Sequence, residues 1–123
     1  MIKNESSFIV LYTDKISQTK SFFQALKCEI LEFEEDKCVV RFGTHELHYV
    51  TSEPIESYAF ISKKKSESKG LILYVEVDEL SHYPKQIEQF GGQVLSDVVI
   101  TPWETSEFLF NDPNGYHFVM YQV

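Results

Sequence analysis

With 123 residues, 43% of them hydrophobic and 15% aromatic, the chain carries enough apolar mass for one ordinary core, which excludes both intrinsic disorder and a disulfide-stapled miniprotein. A formal charge of -8 repels nucleic acid phosphates, so no nucleic acid partner is expected; a cationic or uncharged small molecule is electrostatically easier to hold, although excess acid also simply keeps a small domain soluble. No stretch approaches the ~18 uninterrupted apolar residues of a membrane span, and Met1-Ile2-Lys3-Asn4-Glu5 lacks the apolar centre of a signal peptide, so no membrane partner and a cytoplasmic location are expected.

The first β-rich run, SFIVLYTD, closes on an Asp able to cap a helix. ISQTKSFFQALK follows, with Ile16, Phe22, Phe23 and Leu26 on one helical face. CEILEFEE, KCVVRFG and HELHYVT are then three short strands separated by turn-sized polar pieces. A hairpin turning at Glu35-Asp36 puts Cys38 opposite Phe33 and Cys28 near Gly43, so the two thiols are read as reduced and structural.

The same order then repeats. GLILYVEV is a strand, and ELSHYPKQIEQFGG a helix with Leu80, Tyr83, Ile87 and Phe90 at helical spacing, Ser81 as a cap, Pro84 in the first turn and Gly91-Gly92 as its stop. QVLSDVVI, EFLFND and YHFVMYQ supply three more strands. The expected architecture is α+β: two tandem βαβββ modules in one domain over residues 1–123, module one at 1–52 and module two at 70–123. PIESYAFIS and the run around Lys63-Lys64-Lys65 form a solvated linker over 53–69. A βαβββ unit covers only one face of its sheet with a helix, so pairing two open faces makes a shared concavity.

These signals resemble the vicinal oxygen chelate superfamily of glyoxalases, extradiol dioxygenases and bleomycin-resistance proteins. The resemblance rests chiefly on PWETSEFLFNDPNGYHFVMY, supported by LYTDKISQTKSFFQAL and FGGQVL, and is nearest in pattern to the non-metal bleomycin-resistance type. It implies a curved sheet cup of the glyoxalase/bleomycin resistance-like fold, commonly in homodimers whose clefts take residues from both chains. Whether the modules pair within one chain or across a dimer stays open.

Metal-dependent members carry ligands at four places. Here those places hold Ser7 or Phe8, Glu46, Ile72 or Leu71, and Val119. Only Glu46 suits a divalent ion, and one carboxylate does not make a site, so no metal and no cofactor are expected. With Val119 placed in the cup by the resemblance, alternation brings His117 and Tyr121 to the same face. A tight turn at Pro113-Asn114 would set Phe108 beside Val119 and Phe110 beside His117. Parity on other strands adds Ile9 with Leu11, Glu46 with His48, and Tyr74 with Glu76, and Trp103 resembles the tryptophan near the bleomycin groove.

The expected ligand site is therefore Ile9, Glu46, His48, Tyr74, Trp103, Phe108, Phe110, His117, Val119 and Tyr121. Such a wall suits capture of an aromatic or cationic small molecule, an antibiotic among the candidates, without turnover. The alternative is a superfamily enzyme, a lyase, isomerase or dioxygenase-like protein, using Glu46, His48 and His117 with a non-standard metal site. A third reading makes a homodimer the function and the cleft vestigial. For each polar residue a plain structural role competes: Glu46 and His48 as a cleft-rim pair, Trp103 as an interface anchor.

Overall fold

The computed structural model describes residues 1–3, 7–51 and 70–123, so the expected linker over 53–69 lies outside the described residues. In the first half, β1 (Ile9–Tyr12) leads into α1 (Ile16–Ala25), followed by β2 (Glu29–Glu34), β3 (Lys37–Phe42) and β4 (His45–Val50). β3 pairs antiparallel with β2 and with β4, and β1 lies parallel to β4, giving a sheet of order β1-β4-β3-β2.

The N-cap position of α1 falls on Lys15, one residue beyond the expected Asp14, and the Thr13 hydroxyl accepts the Lys15 N–H at 2.9 Å, a short polar side chain competing locally for a backbone donor. At the other end Lys27 takes a left-handed conformation, φ 66°. The Cys28 N–H then reaches the Phe23 carbonyl at 2.9 Å and the Lys27 N–H that of Gln24 at 3.0 Å. This is a Schellman stop built without glycine.

The second half runs β5 (Ile72–Glu76), a 3-10 turn (Leu80–His82), α2 (Pro84–Gln89), β6 (Gln93–Val94), β7 (Val99–Ile100), β8 (Ser106–Asn111) and β9 (His117–Gln122). Its sheet has the order β5-β9-β8-β6, with β7 also on β8 and β5 parallel to β9. The expected second helix is shorter than its periodicity suggests. Pro84 occupies the first turn of α2, Tyr83 is the N-cap, and Ser81 makes no cap, because proline fits only where no intrahelical donor is needed. The expected strand QVLSDVVI splits into β6 and β7, since the Ser96 hydroxyl accepts the Leu109 N–H at 2.9 Å in place of a ladder bond.

Both halves bury their helix-bearing faces in one core. Phe22 and Phe23 of α1 meet edge to face at 5.1 Å, and Phe23 lies 6.1 Å from Phe118 of β9. Phe42 of β3 and Phe118 approach to 5.0 Å. Burying each such ring contributes about 1.5–3 kcal/mol, so the halves cannot separate cheaply.

Polar bonds fix the seam. The Asn114 carbonyl oxygen accepts from the Thr13 hydroxyl at 2.5 Å, its amide donates to the Thr19 hydroxyl at 3.0 Å, and the Tyr116 hydroxyl donates to the Tyr12 carbonyl at 2.9 Å. Because the helix faces of both sheets meet in this interior, the opposite faces are turned outward and do not cover one another. Among the described residues no helix is long and apolar enough to cross a membrane.

Candidate functional site

The outward face of the first sheet is built by β1, β3 and β4. Parallel pairing sets Val10 beside His48 and Ile9 beside Leu47, and residues in register share a face. Leu47 is fully buried; Ile9 packs against the core with it. Ile9 therefore does not line the outward face as expected, and neither does Leu11. The run from Phe8 to Tyr12 is apolar on both parities, so alternation could not choose the face; the register with β4 does.

Phe8 takes that place. It is 53% exposed and stacks on the His48 imidazole, ring centroids 3.8 Å apart and planes 13° from parallel. The other side of His48 is held by Glu46, whose Oε2 lies 2.7 Å from Nε2. Arg41 stands between two carboxylates, 3.9 Å from Glu46 and 3.6 Å from Glu29. Glu46 thus serves a guanidinium and an imidazole at once, and the stacked ring fixes the imidazole plane. Such a pair can accept or pass on a proton, or hydrogen-bond a polar ligand atom.

The outward face of the second sheet is built by β5, β8 and β9. Tyr74 pairs with Val119, Glu76 with Tyr121 and Ile72 with His117, so His117, Val119, Tyr121 and Tyr74 share one face. Tyr74 and Tyr121 lie 6.2 Å apart at 52°, and the Tyr74 hydroxyl donates to Glu107 Oε2 at 3.3 Å. Partial burial and the Glu107 carboxylate beside it push the Tyr74 phenol up from its ordinary value. Val119, 4% exposed, forms the floor between these rings.

Phe108 and Phe110 are not on this face. The hairpin loop spans residues 112–116, closed by the Asp112 N–H on the Tyr116 carbonyl at 3.1 Å, so Phe108 pairs with Met120 and Phe110 with Phe118. The tight-turn expectation was one residue out of register, and such a slip reverses every side chain. Both rings belong to the core, Phe110 stacking on Phe118 at 5.6 Å. Glu107 and Leu109 face outward instead; the charge at Glu107 was the sequence signal that could have indicated this.

Trp103 lies in the turn between β7 and β8, where the Thr101 N–H donates to the Thr105 carbonyl at 2.8 Å and Glu104 has φ 68°. It is 69% exposed. The structure thus gathers the candidates into two clusters on separate sheet faces: Glu46 and His48 with Phe8, and Tyr74, His117, Val119 and Tyr121. Residues that the expected ligand site left out are Phe8, Val10, Arg41, Glu107 and Leu109.

Cys38 pairs in register with Phe33, as the hairpin reading expects, and both thiols are free. Burial pushes the Cys28 thiol up to about 12 and that of Cys38 to about 11, which suppresses the nucleophilic thiolate. Among the described residues no three His, Cys, Asp or Glu side chains converge as metal ligands would.

Known folds place this geometry. The chain has the glyoxalase/bleomycin resistance fold, as likeness to solved structures shows. A hypothetical protein SA1046 from S. aureus superposes with a TM-score of 0.78 over 100% of this chain and 95% of its own, at 16% identity. A glyoxalase/bleomycin resistance protein/dioxygenase family enzyme from Burkholderia phytofirmans PsJN gives a TM-score of 0.72 at 17% identity, covering 95% of this chain and 97% of its own. A bleomycin-binding protein complexed with bleomycin gives 0.61 at 13% identity, over 98% and 99%. No family model matches the sequence, and no curated protein does. The resemblance carried by PWETSEFLFNDPNGYHFVMY therefore holds for the fold.

Proposed function

We propose that this protein is a cytoplasmic small-molecule binding protein of the glyoxalase/bleomycin resistance superfamily, which captures an aromatic or cationic ligand without a catalytic metal. The observation that carries this reading is the pair of outward sheet faces, which present aromatic and apolar side chains beside a few carboxylates and imidazoles. Phe8 is 53% exposed and Tyr74 47%, so both sheets present a ring to which a ligand has access. Flat rings offer stacking and cation-π contacts of about 0.5–2 kcal/mol each, and the charge of -8 favours a cation. A solved protein of the same fold is described with bleomycin bound, which supports a ligand of that kind.

In this reading the protein is a homodimer. The first-sheet face of one chain, with Phe8, Glu46 and His48, closes over the second-sheet face of the other, with Tyr74, His117, Val119 and Tyr121. Trp103 stands at the rim. Sedimentation tests the dimer, and thermal shift against bleomycin and planar aromatic cations tests capture: ligand at a hundredfold its Kd adds about 2.7 kcal/mol. A monomer that no compound of this panel stabilises would sink the reading.

A second reading is an enzyme, favoured by the 2.7 Å contact of Glu46 and His48 under the Phe8 ring. It requires a metal or a proton-transfer substrate at that pair. Metal analysis of protein purified without chelator separates the two: a stoichiometric transition ion, lost in Glu46→Gln, favours the enzyme.

A further inference from the structure

The two halves meet along a groove where their sheets adjoin, its rim reached by Arg41 and Glu76 from the outward faces. Its upper wall is the turn between β3 and β4, where Gly43 sits so close to β5 that an added Cβ would lie 2.6 Å from Val75 Cγ2. His45 Nε2 stands 3.2 Å from the Tyr74 carbonyl and holds this turn against the edge strand. The opposite wall is the end of α1, fixed by the Schellman stop at Lys27, and the start of α2 at Tyr83. Between them lies a hollow of about 320 Å³ floored by Leu26, Phe42, Val75 and Met120.

A second hollow of about 450 Å³ adjoins it, with Lys27 and Tyr83 lining both. Charge divides the groove. The far rim of the first hollow carries Glu29, Glu76 and Arg41. The second carries Lys27, Lys85 and His82 with no carboxylate in its lining, in a protein whose charge is -8. His82 already has Glu79 at 3.2 Å; among the described residues neither lysine is ion-paired.

We propose that this seam is a second binding site, taking an amphipathic organic anion whose apolar body lies over Leu26, Phe42, Val75 and Met120 and whose head meets Lys27 and Lys85. A floor of buried hydrocarbon and a basic end demand opposite properties at the two ends of one ligand. Arg41 at the far rim is already held by Glu29 at 3.6 Å and Glu46 at 3.9 Å, so Lys27 and Lys85 are the better partners for the anionic head. Each hollow, about 320 and about 450 Å³, lies at the small end of the range for small-molecule sites. Cys28 in the same lining stays a neutral thiol through its burial and adds to the apolar surface. Occupation would tie the halves together at the tip of the β3-β4 turn, since the ligand touches both.

Calorimetric titration of the whole chain with octanoate, and with octylammonium as the opposite charge, tests the site. Saturable octanoate binding is expected, with octylammonium weaker and with amide NMR shifts at Lys27, Tyr83, Lys85 and Met120. The double variant Lys27→Glu/Lys85→Glu, both positions exposed, should keep its thermal midpoint and bind octanoate about tenfold more weakly. No saturable binding by the wild type overturns the proposal. So does unchanged affinity in the folded double variant, or a shift pattern confined to Tyr74, Val119 and Tyr121.

Discussion

Tyr49 donates its hydroxyl hydrogen to Asp112 Oδ2 across 2.6 Å, tying the fully buried ring of β4 to the turn that precedes β9. Asp112 is 1% exposed and also accepts the N–H of Asn114 at 3.0 Å and of Tyr116 at 2.9 Å. The DPNG turn is thus organised by a carboxylate in the interior. With the Asn114 side-chain amide at 3.4 Å, replacing it takes the acceptor from four donors, one of them from the other half of the protein. Asp112→Ala should cost about 3 kcal/mol in urea unfolding; a loss under about 1 kcal/mol would mean that water replaces the carboxylate, and the turn is not organised as described.

The same carboxyl predicts a pH dependence. Burial raises its pKa above the ordinary 3.8, outweighing the hydrogen bonds from Tyr49, Tyr116 and Asn114, which lower it. A group raised in the folded state contributes stability that is fully present below the unfolded pKa and is lost as pH rises through the folded one. Asp112→Asn cannot titrate, so the stability of the wild type minus that of the variant should fall as pH is taken upward from 3.8. Denaturant melts across this range would contradict the account if the difference rose.

Strand parity gives a sharp contrast within β9. Phe118 is fully buried among Phe23, Phe42 and Phe110, whereas Tyr121 lies on the outward face beside Tyr74. Phe118→Ala should cost about 3–5 kcal/mol. Tyr121→Ala should cost no more than about 1 kcal/mol at low protein concentration. Comparable losses would place β9 in the other register.

How far such detail was readable depends on what kind of information each feature needs. The repeated strand-helix-strand order was legible because Phe22-Phe23 and the Ile87 stripe follow helical period and the strands are short and punctuated. The Cys38-Phe33 pairing was legible because a hairpin with few turn residues has one natural register. The face of β1 was not, since Phe8 to Tyr12 is apolar at every position and only its partner strand decides. Nor was the side taken by Phe108 and Phe110, because that depends on a five-residue loop whose closing bond, from Asp112 to Tyr116, has no local pattern. Which faces meet is set by packing between halves, beyond the reach of any window along the chain.

The seam itself can be probed at Gly43, whose φ of +63° is left-handed backbone that costs other residues roughly 1 kcal/mol. An added methyl would also press on Val75 at 2.6 Å, inside van der Waals contact, so Gly43→Ala suffers twice and should lose about 2–3 kcal/mol. Shortening Val75 to Ala removes the clash but leaves the backbone strain. In the Val75→Ala background the same Gly43→Ala change should therefore cost only about 1 kcal/mol, a coupling that a double-mutant cycle reads directly. Additive losses would show that the turn and β5 do not touch, and the closed upper wall of the seam groove would be lost with that contact.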